Sequence, residues 1–269
     1  TTLMQAFLNE GDELIMGHPS FFVYGHTSGI LGANVVKVPL KDHGYDLDGI
    51  LKAITPKTKM IMICNPNNPT STIVTQKQVD AFMAAVPQDC LGVFDEAYKE
   101  FVEAEDYPDT LQYVKAGKNV LIIRTFSKLY GLAGLRIGYC LAPKEIITYP
   151  ARVVETFPVN RLAQAAAMAA LDDAEFVNKV KAANAAGKDY LIRELAALGM
   201  QTAPAHANFI FTDTGMDSLH LVTELEKRGI LIRPGAAWGF PTSVRISIGT
   251  QKENEKLVAA IKEIQAAQK

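Results

Sequence analysis

Residues 125–136 read TFSKLYGLAGLR, which combines hydroxyl side chains with one lysine, two glycines and one arginine. Residues 120–125 are mostly apolar and predict a buried strand that ends where this segment begins. Glycines permit tight turns, and hydroxyls together with a guanidinium are good ligands for a phosphate. Lys128 among such groups could serve as an imine-forming nucleophile. The alternative is a solvated loop lysine beside a structural arginine.

A second polar segment, FDEAY at residues 94–98, also follows an apolar run. Asp95 is therefore expected at the carboxyl end of a buried strand, where open α/β sheets bind their ligands. A carboxylate in that position can keep a heterocyclic nitrogen protonated, because a nearby anion favours the cationic form. The alternative is an aspartate that caps a helix.

The third segment is NPNNPT at residues 65–70, again directly after an apolar run. Two prolines and three asparagines predict a rigid turn, and turn chemistry alone could explain them. The functional interpretation is that one asparagine amide donates to a ligand oxygen. All three segments are expected at strand ends on the same side of one sheet.

Alternating strand and helix patterns predict an α/β fold, a mostly parallel sheet with helices on both faces. The predicted strands are residues 13–16, 34–38, 59–64, 92–94, 120–125 and 136–141. The predicted helices are residues 21–31, 46–53, 75–85 and 110–117, with Thr75 and Gln78 as a capping box. Residues 1–158 would form this large domain.

Residues 159–269 predict linking helices and a smaller C-terminal α+β domain. Residues 162–198 are rich in alanine and helix formers, and Gly199 follows as a C-cap. Beyond them, the pattern predicts strands at residues 208–212, 230–233 and 244–248 and helices at residues 217–228 and 251–267. The chain opens on TTLMQAFL, which looks like an amphipathic helix already under way, so an N-terminal part is expected to be missing.

The composition is that of an ordinary globular protein: 269 residues, 48% hydrophobic, 21% charged, net charge −2. This net charge does not indicate a nucleic-acid-binding surface. No apolar run approaches the ~20 residues that a membrane helix needs. Cys64, Cys90 and Cys140 lack the spacing of a metal site, so no metal is predicted. Reduced thiols in a cytoplasmic protein are the expectation.

Together, the three segments resemble the pyridoxal-phosphate-dependent aminotransferases of the aspartate aminotransferase fold, most closely the histidinol-phosphate aminotransferase branch. The matching stretches are residues 65–70, 95–101, 125–139, 158–160 with 163–164, and 207–209. The resemblance implies pyridoxal 5'-phosphate as cofactor and a homodimer with shared active sites. One departure is Ser71, where the family usually has glycine.

The resemblance also implies the catalytic roles. Lys128 would form the internal Schiff base and shuttle the proton between substrate and cofactor. Asp95 would pair with the pyridine nitrogen. Tyr98 and Asn68 would hydrogen-bond the phenolic oxygen of the ring.

Further roles concern the rest of the cofactor and the substrate. The residues expected to bind the phosphate are Thr125, Ser127 and Arg136. Phe21 would stack on the cofactor ring, with a core phenylalanine as the alternative. Arg245 would bind the substrate α-carboxylate, with a surface arginine as the alternative, and Asn208 would contact the substrate.

The predicted reaction is ping-pong amino transfer from an L-amino acid, or an amino-alcohol phosphate such as histidinol phosphate, to a 2-oxo acid. These small molecules are the expected partners, with neither nucleic acid nor membrane. Three alternatives stay open: an aromatic aminotransferase, a threonine-phosphate decarboxylase, and a non-catalytic aminotransferase-like sensor.

Overall fold

The computed structural model describes residues 1–267, which form two compact units. The first unit comprises Thr1–Asn68 and Ile73–Asp173, and the second comprises Pro69–Thr72 and the chain from Ala174 onward. The contacts thus group residues 159–173 with the first unit. The domain boundary at residues 158/159 remains a prediction from the sequence.

A six-stranded sheet forms the centre of the first unit, in the order β2-β1-β3-β4-β5-β6. The strands are β1 (Glu13–His18), β2 (Asn34–Pro39), β3 (Thr58–Cys64), β4 (Leu91–Asp95), β5 (Val120–Thr125) and β6 (Gly138–Leu141). Every neighbouring pair is parallel except β5 and β6, which are antiparallel. The predicted mostly parallel sheet is confirmed.

Helices connect these strands or follow them. They are α1 (Thr2–Phe7), α2 (Val23–Ile30), α3 (Leu47–Lys52), α4 (Gln76–Ala85), α5 (Leu111–Lys115), α6 (Lys144–Ile147), α7 (Pro150–Val153) and α8 (Arg161–Asp172). The capping box at α4 is confirmed, because Thr75 and Gln78 each bond the other's backbone N–H. The helix predicted from residue 21 begins later, because Phe22 is its N-cap.

The core of the first unit lies along the central strands. Successive residues of β3, such as Ile61 and Met62, have no exposed surface, so both faces of this strand are covered. Burying a side chain of this size contributes about 1.5–3 kcal/mol. This burial fixes the strands, and with them the positions of the residues that follow their carboxyl ends.

The second unit has a four-stranded antiparallel sheet in the order β7-β8-β10-β9. Its elements are α9 (Ala174–Ala197), β7 (Gln201–Thr202), β8 (Phe209–Asp213), α10 (Ser218–Glu226), β9 (Arg233–Pro234), β10 (Ser243–Ser247) and α11 (Gln251–Ala267). The predicted α+β architecture is confirmed.

Two details of the second unit differ from the prediction. The strand expected at residues 230–233 is wrong, since only Arg233–Pro234 pair with the sheet. Ile230 and Ile232 are apolar because they pack against the core of this unit from a loop. The short strand β7 was not predicted. Within residues 1–267, no helix combines the length and apolar character required to cross a membrane.

Candidate active site

Four predicted site residues follow or end neighbouring parallel strands of the first unit. Asp95 ends β4 and Thr125 ends β5. Asn68 lies four residues beyond β3, and Phe21 lies three residues beyond β1. Because parallel strands end at the same edge of a sheet, the topology brings these four residues to one edge.

The antiparallel strand β6 begins at that same edge and runs away from it. Thr125 pairs with Gly138, so Arg136, two residues before Gly138, also lies there. Gly131 has φ +68°, a left-handed conformation that favours glycine, which confirms the predicted turn. A Cβ at Gly138 would lie only 2.7 Å from the Arg124 carbonyl oxygen, so glycine allows β6 to approach β5 closely.

Both carboxylate oxygens of Asp95 accept hydrogen bonds. The Tyr24 hydroxyl donates to Oδ2 at 2.5 Å, and the Ala97 N–H donates to Oδ1 at 3.1 Å. Burial raises the pKa of Asp95, and the charge of the neighbouring Glu96 acts in the same direction, while these two bonds and the charge of Lys128 act in the opposite direction. Asp95 is therefore a buried carboxyl group held by fixed donors and influenced by a nearby cation.

Lys128 lies against Tyr98. Its Nζ is 5.1 Å from the centroid of the Tyr98 ring, which is itself buried. The influence of the Lys128 charge on Asp95 connects this pair to the end of β4. The structure thus brings together the three residues predicted to be catalytic.

The three residues predicted to bind phosphate line one cavity of about 560 Å³. The Thr125 hydroxyl accepts the Ser127 N–H at 3.0 Å, which shapes the first turn after β5. Arg136 is exposed and has φ +53°, and its Nη1 donates to the Ala133 carbonyl at 2.8 Å. Two hydroxyls and a guanidinium at one cavity are a donor set suited to a phosphate.

Phe21 is partly buried and lies just outside α2. Its ring packs against Tyr24 with centroids 5.4 Å apart and planes at 81°. It also packs against the core of the first unit, as the alternative interpretation expects. Whether its exposed surface contacts a cofactor ring stays a prediction.

In the second unit, Arg245 lies at the centre of β10. Its guanidinium carbon lies 5.1 Å from the Phe209 ring centroid and 5.8 Å from that of Trp238. Arg233 pairs with it directly across the antiparallel ladder of β9 and β10. Arg245 is partly buried over two aromatic rings, which differs from the alternative of a surface arginine.

Asn208 precedes β8 on a segment fixed by Ser71. The Ser71 hydroxyl accepts the N–H groups of His206 and Ala207 at 3.0 and 2.9 Å. Ser71 has φ +65°, a left-handed conformation that glycine adopts at a lower cost. The serine therefore combines a strained backbone with two hydrogen bonds that a glycine could not make.

This arrangement predicts different stabilities for two substitutions. Ser71→Ala loses both hydrogen bonds and keeps the strained φ, so the free energy of unfolding should fall by about 1–3 kcal/mol. Ser71→Gly loses the same bonds but relieves strain of about 1 kcal/mol, and should be the more stable variant. Urea unfolding of both proteins measures the difference. Equal stabilities would contradict the strain at this position.

A buried polar cluster beneath the site was not predicted. Tyr45 donates to the Ser20 hydroxyl, Ser20 donates to Asn67 Oδ1, and the Asn67 amide donates to the Pro19 carbonyl at 3.2 Å. These bonds tie the turn after β1 to the turn after β3. The contact between Tyr24 and Asp95 was not predicted either. The sequence offered one indication of it, because Tyr24 lies three residues after Phe21 and a buried tyrosine hydroxyl needs a hydrogen-bond partner.

The donor set fits pyridoxal 5'-phosphate. A buried carboxylate held by two donors suits a protonated ring nitrogen, a lysine lies beside it, and hydroxyls with a guanidinium suit a phosphate. The fit rests on Asp95, Lys128 and the three residues at the 560 Å³ cavity.

Comparison with known proteins agrees with this fit. The family model described as Aminotransferase class I and II matches residues 1–261. The histidinol-phosphate aminotransferase of Moorella thermoacetica is 46% identical over 98% of this chain and 69% of that protein. That of Brevibacillus brevis is 42% identical over 97% of this chain and 72% of that protein.

Solved structures show the same fold. Histidinol-phosphate aminotransferase from Sinorhizobium meliloti, in complex with pyridoxal-5'-phosphate, has a TM-score of 0.92 at 30% identity, over 100% of this chain and 74% of that one. A mutant aspartate aminotransferase of Thermus thermophilus has a TM-score of 0.86 at 27% identity, over 98% of this chain and 76% of that one. The chain belongs to the aminotransferase class I and II family and is a pyridoxal-phosphate-dependent aminotransferase.

Proposed function

We propose that this aminotransferase takes the amino group of histidinol phosphate and passes it to a 2-oxo acid, by ping-pong chemistry, in histidine biosynthesis. The observation that carries the proposal is the 46% identity to a histidinol-phosphate aminotransferase over 98% of the chain. A cytoplasmic location is part of the proposal, supported by the free thiols of Cys64, Cys90 and Cys140.

The proposed catalytic roles follow from the surroundings of each group. Pyridoxal 5'-phosphate, when bound, supplies the electron sink that allows the C–H bond at the amine-bearing carbon to ionise. Asp95, whose carboxylate form is favoured by its two donors, would hold the proton on the ring nitrogen. Lys128 would hold the cofactor when no substrate is bound, and its Nζ would take the proton from the amine-bearing carbon and deliver it to the cofactor.

The other cofactor contacts position the ring. Thr125 and Ser127 would donate hydroxyl hydrogen bonds to the phosphate, and Arg136 would supply the positive charge. Tyr98 and Asn68 would hydrogen-bond the phenolic oxygen. The partly buried ring of Phe21 would stack on the pyridine.

Substrate recognition is proposed for Arg245, with Asn208 as a further contact. Arg245 and Arg233 pair across neighbouring strands, and two like charges placed so repel each other unless an anion lies between or beside them. A carboxylate or a phosphate would relieve that repulsion and can bond a guanidinium with two parallel hydrogen bonds. The pair therefore supports an anionic substrate.

The test is a half-reaction screen on protein loaded with pyridoxal 5'-phosphate. Single amino donors are added, namely histidinol phosphate, histidinol, phenylalanine, glutamate and threonine phosphate. We expect histidinol phosphate to remove the visible absorption of the bound cofactor fastest, with pyridoxamine phosphate as the product. A faster response to phenylalanine would replace the proposal with an aromatic aminotransferase. Release of carbon dioxide from threonine phosphate would indicate the decarboxylase.

Replacing the guanidinium of Arg245, which can donate two parallel hydrogen bonds to a carboxylate, should weaken binding of the 2-oxo acid acceptor. Arg245→Lys keeps the positive charge but cannot make the bidentate bond, so kcat/KM for 2-oxoglutarate should fall about 10–100-fold, since a hydrogen bond to a charged group contributes ~1.5–3 kcal/mol. Steady-state kinetics over a range of acceptor concentrations measures it. Arg193→Lys, at an exposed position of α9 in the same unit, is the matched control and should change kcat/KM less than twofold. Equal losses in the two variants would contradict the role given to Arg245.

We also propose a homodimer with shared active sites. Leu162, Met168 and Leu171 on α8 are 78%, 70% and 58% exposed, which is unusual for large apolar side chains on one helix. A second copy of the chain packed against α8 would bury part of this apolar surface. Light scattering should give twice the mass of the chain at micromolar concentration, and a monomer mass would contradict the proposal.

A further inference from the structure

Behind the candidate site, a buried carboxylate joins the ends of two strands. Glu96 has no exposed surface, and its Oε2 accepts the Arg124 Nε at 2.8 Å. Its Oε1 accepts the hydroxyl of Thr110, which is also buried. Lys99 lies 3.9 Å from Oε2. Glu96 is not among the residues proposed to contact the cofactor or the substrate.

The location of the ion pair in the sequence is informative. Glu96 directly follows Asp95, the proposed anchor of the ring nitrogen, and Arg124 directly precedes Thr125, the first proposed phosphate ligand. Arg124 and Thr125 are successive residues of β5, so their side chains point to opposite faces of the sheet. The ion pair therefore lies on the face turned away from the phosphate ligand, and it connects the two strand ends from behind.

Direct pairing between β4 and β5 stops before it reaches Thr125. The ladder between β4 and β5 ends at Asp95 and Ile123, and one further backbone bond runs from the Glu96 N–H to the Ile123 carbonyl. Beyond that point, the Glu96–Arg124 ion pair joins the ends of β4 and β5. A charge-assisted bond at 2.8 Å between two largely buried groups is strong and directional.

We propose that Glu96 is a positioning residue that sets the spacing between the two anchors of the cofactor, Asp95 and Thr125. The proposal rests on the cofactor contacts given under the proposed function. A rigid ligand that contacts two anchors binds more tightly than one that contacts a single anchor only if the spacing of the anchors matches the length of the ligand. If the spacing is wrong, the second contact forms poorly and the affinity falls.

Two ligands respond differently to a change in the spacing of Asp95 and Thr125. Pyridoxal 5'-phosphate uses both anchors, whereas pyridoxal lacks the phosphate and uses the ring anchor alone. A change in spacing should therefore weaken the first ligand and leave the second nearly unchanged. A general loss of stability, or a change in the charge of Asp95, would not discriminate between them.

The experiment titrates the full chain, freed of cofactor, with each ligand and measures the dissociation constants by absorbance. In Glu96→Gln, the shape of the side chain stays and its charge is lost. We expect the affinity for pyridoxal 5'-phosphate to fall at least 10-fold, and that for pyridoxal to change less than twofold. Glu13→Gln is the matched control, because Glu13 accepts from the hydroxyls of Thr55 and Thr58 at the other end of the sheet. It should change neither affinity.

A second variant keeps the test decisive if Glu96→Gln does not fold. Arg124→Lys retains the buried charge pair but shifts the donor, and should show the same selective loss with a smaller size. Equal losses for both ligands would mean that Glu96 acts through Asp95 alone, and unchanged affinities would mean that it only stabilises the fold. Either result overturns the proposal. If the unmodified protein bound neither ligand, the proposed cofactor contacts themselves would be wrong.

Discussion

Lys128→Ala is expected to lower the rate of amino transfer by at least 10³-fold, since a positioned general acid–base alone contributes about 10²–10⁴. The variant also loses the nucleophile that holds the cofactor covalently. Asp95, Thr125 and Arg136 remain, so the protein should still bind pyridoxal 5'-phosphate, but the absorption of the bound cofactor should shift to that of the free aldehyde. Stopped-flow absorbance with histidinol phosphate, or the best donor of the screen, measures the rate.

The control for Lys128→Ala is Lys118→Ala, which replaces a lysine of the same unit at the opposite end of β5. Lys118 is exposed and precedes β5 at its amino end, whereas Lys128 follows the carboxyl end. Lys118→Ala should keep the rate within about twofold, because surface substitutions change stability by only ~0.5 kcal/mol. If Lys128→Ala retained a tenth of the original rate, another group would have to move the proton.

Much of the candidate site could be predicted from the sequence because it follows strand ends. An apolar run followed by polar residues identifies both the strand and the position of its carboxyl end. Asp95, Thr125 and Lys128 were each found in that way, and the structure places them at one edge of the sheet. The antiparallel direction of β6, which brings Arg136 to the same edge, is a property of the fold that the sequence pattern did not show.

The supporting contacts could not be predicted, because they join residues that are far apart in the chain. Tyr24 and Asp95 are separated by 71 positions, and Ser20 and Asn67 by 47. Nothing in a local pattern tells a tyrosine which carboxylate it will meet. Glu96 shows the same limit, since its partner Arg124 is 28 residues away and looks like an ordinary strand residue in the sequence.

The strand predicted from the sequence at residues 230–233 of the second unit was wrong for a related reason. Residues 230–233 read ILIR, a short apolar run that suits a strand, but Ile230 and Ile232 pack against the core from a loop and Leu231 is exposed. Pro234 lacks a backbone N–H and restricts the ladder. The apolar character of a short run does not report whether its backbone is paired.

Asp95→Asn should produce the second large loss, a fall in kcat of about 10³-fold, comparable to removing one preorganised partner of a developing charge. The amide has no negative charge with which to hold the ring nitrogen protonated. Its size is nearly that of the carboxylate, so the fold and the bond from Ala97 should survive. Cofactor affinity and kcat, measured on the same preparation, separate the loss of charge from a loss of binding. A kcat within tenfold of the original protein would contradict the role of Asp95.

Tyr24→Phe tests the same carboxylate without removing it. Burial and the charge of Asp95 raise the pKa of Tyr24 well above its ordinary value, so the hydroxyl stays neutral and donates. Its hydrogen bond lowers the pKa of Asp95 against the effect of burial. Without that bond the pKa of Asp95 rises, and Asp95 takes up a proton at a higher pH than before. The acid limb of kcat/KM should therefore move to higher pH, with a rate at the optimum about tenfold lower, since a hydrogen bond to a charged group contributes ~1.5–3 kcal/mol. An acid limb that moved to lower pH, or did not move, would show that Tyr24 packs against Asp95 without stabilising its charge.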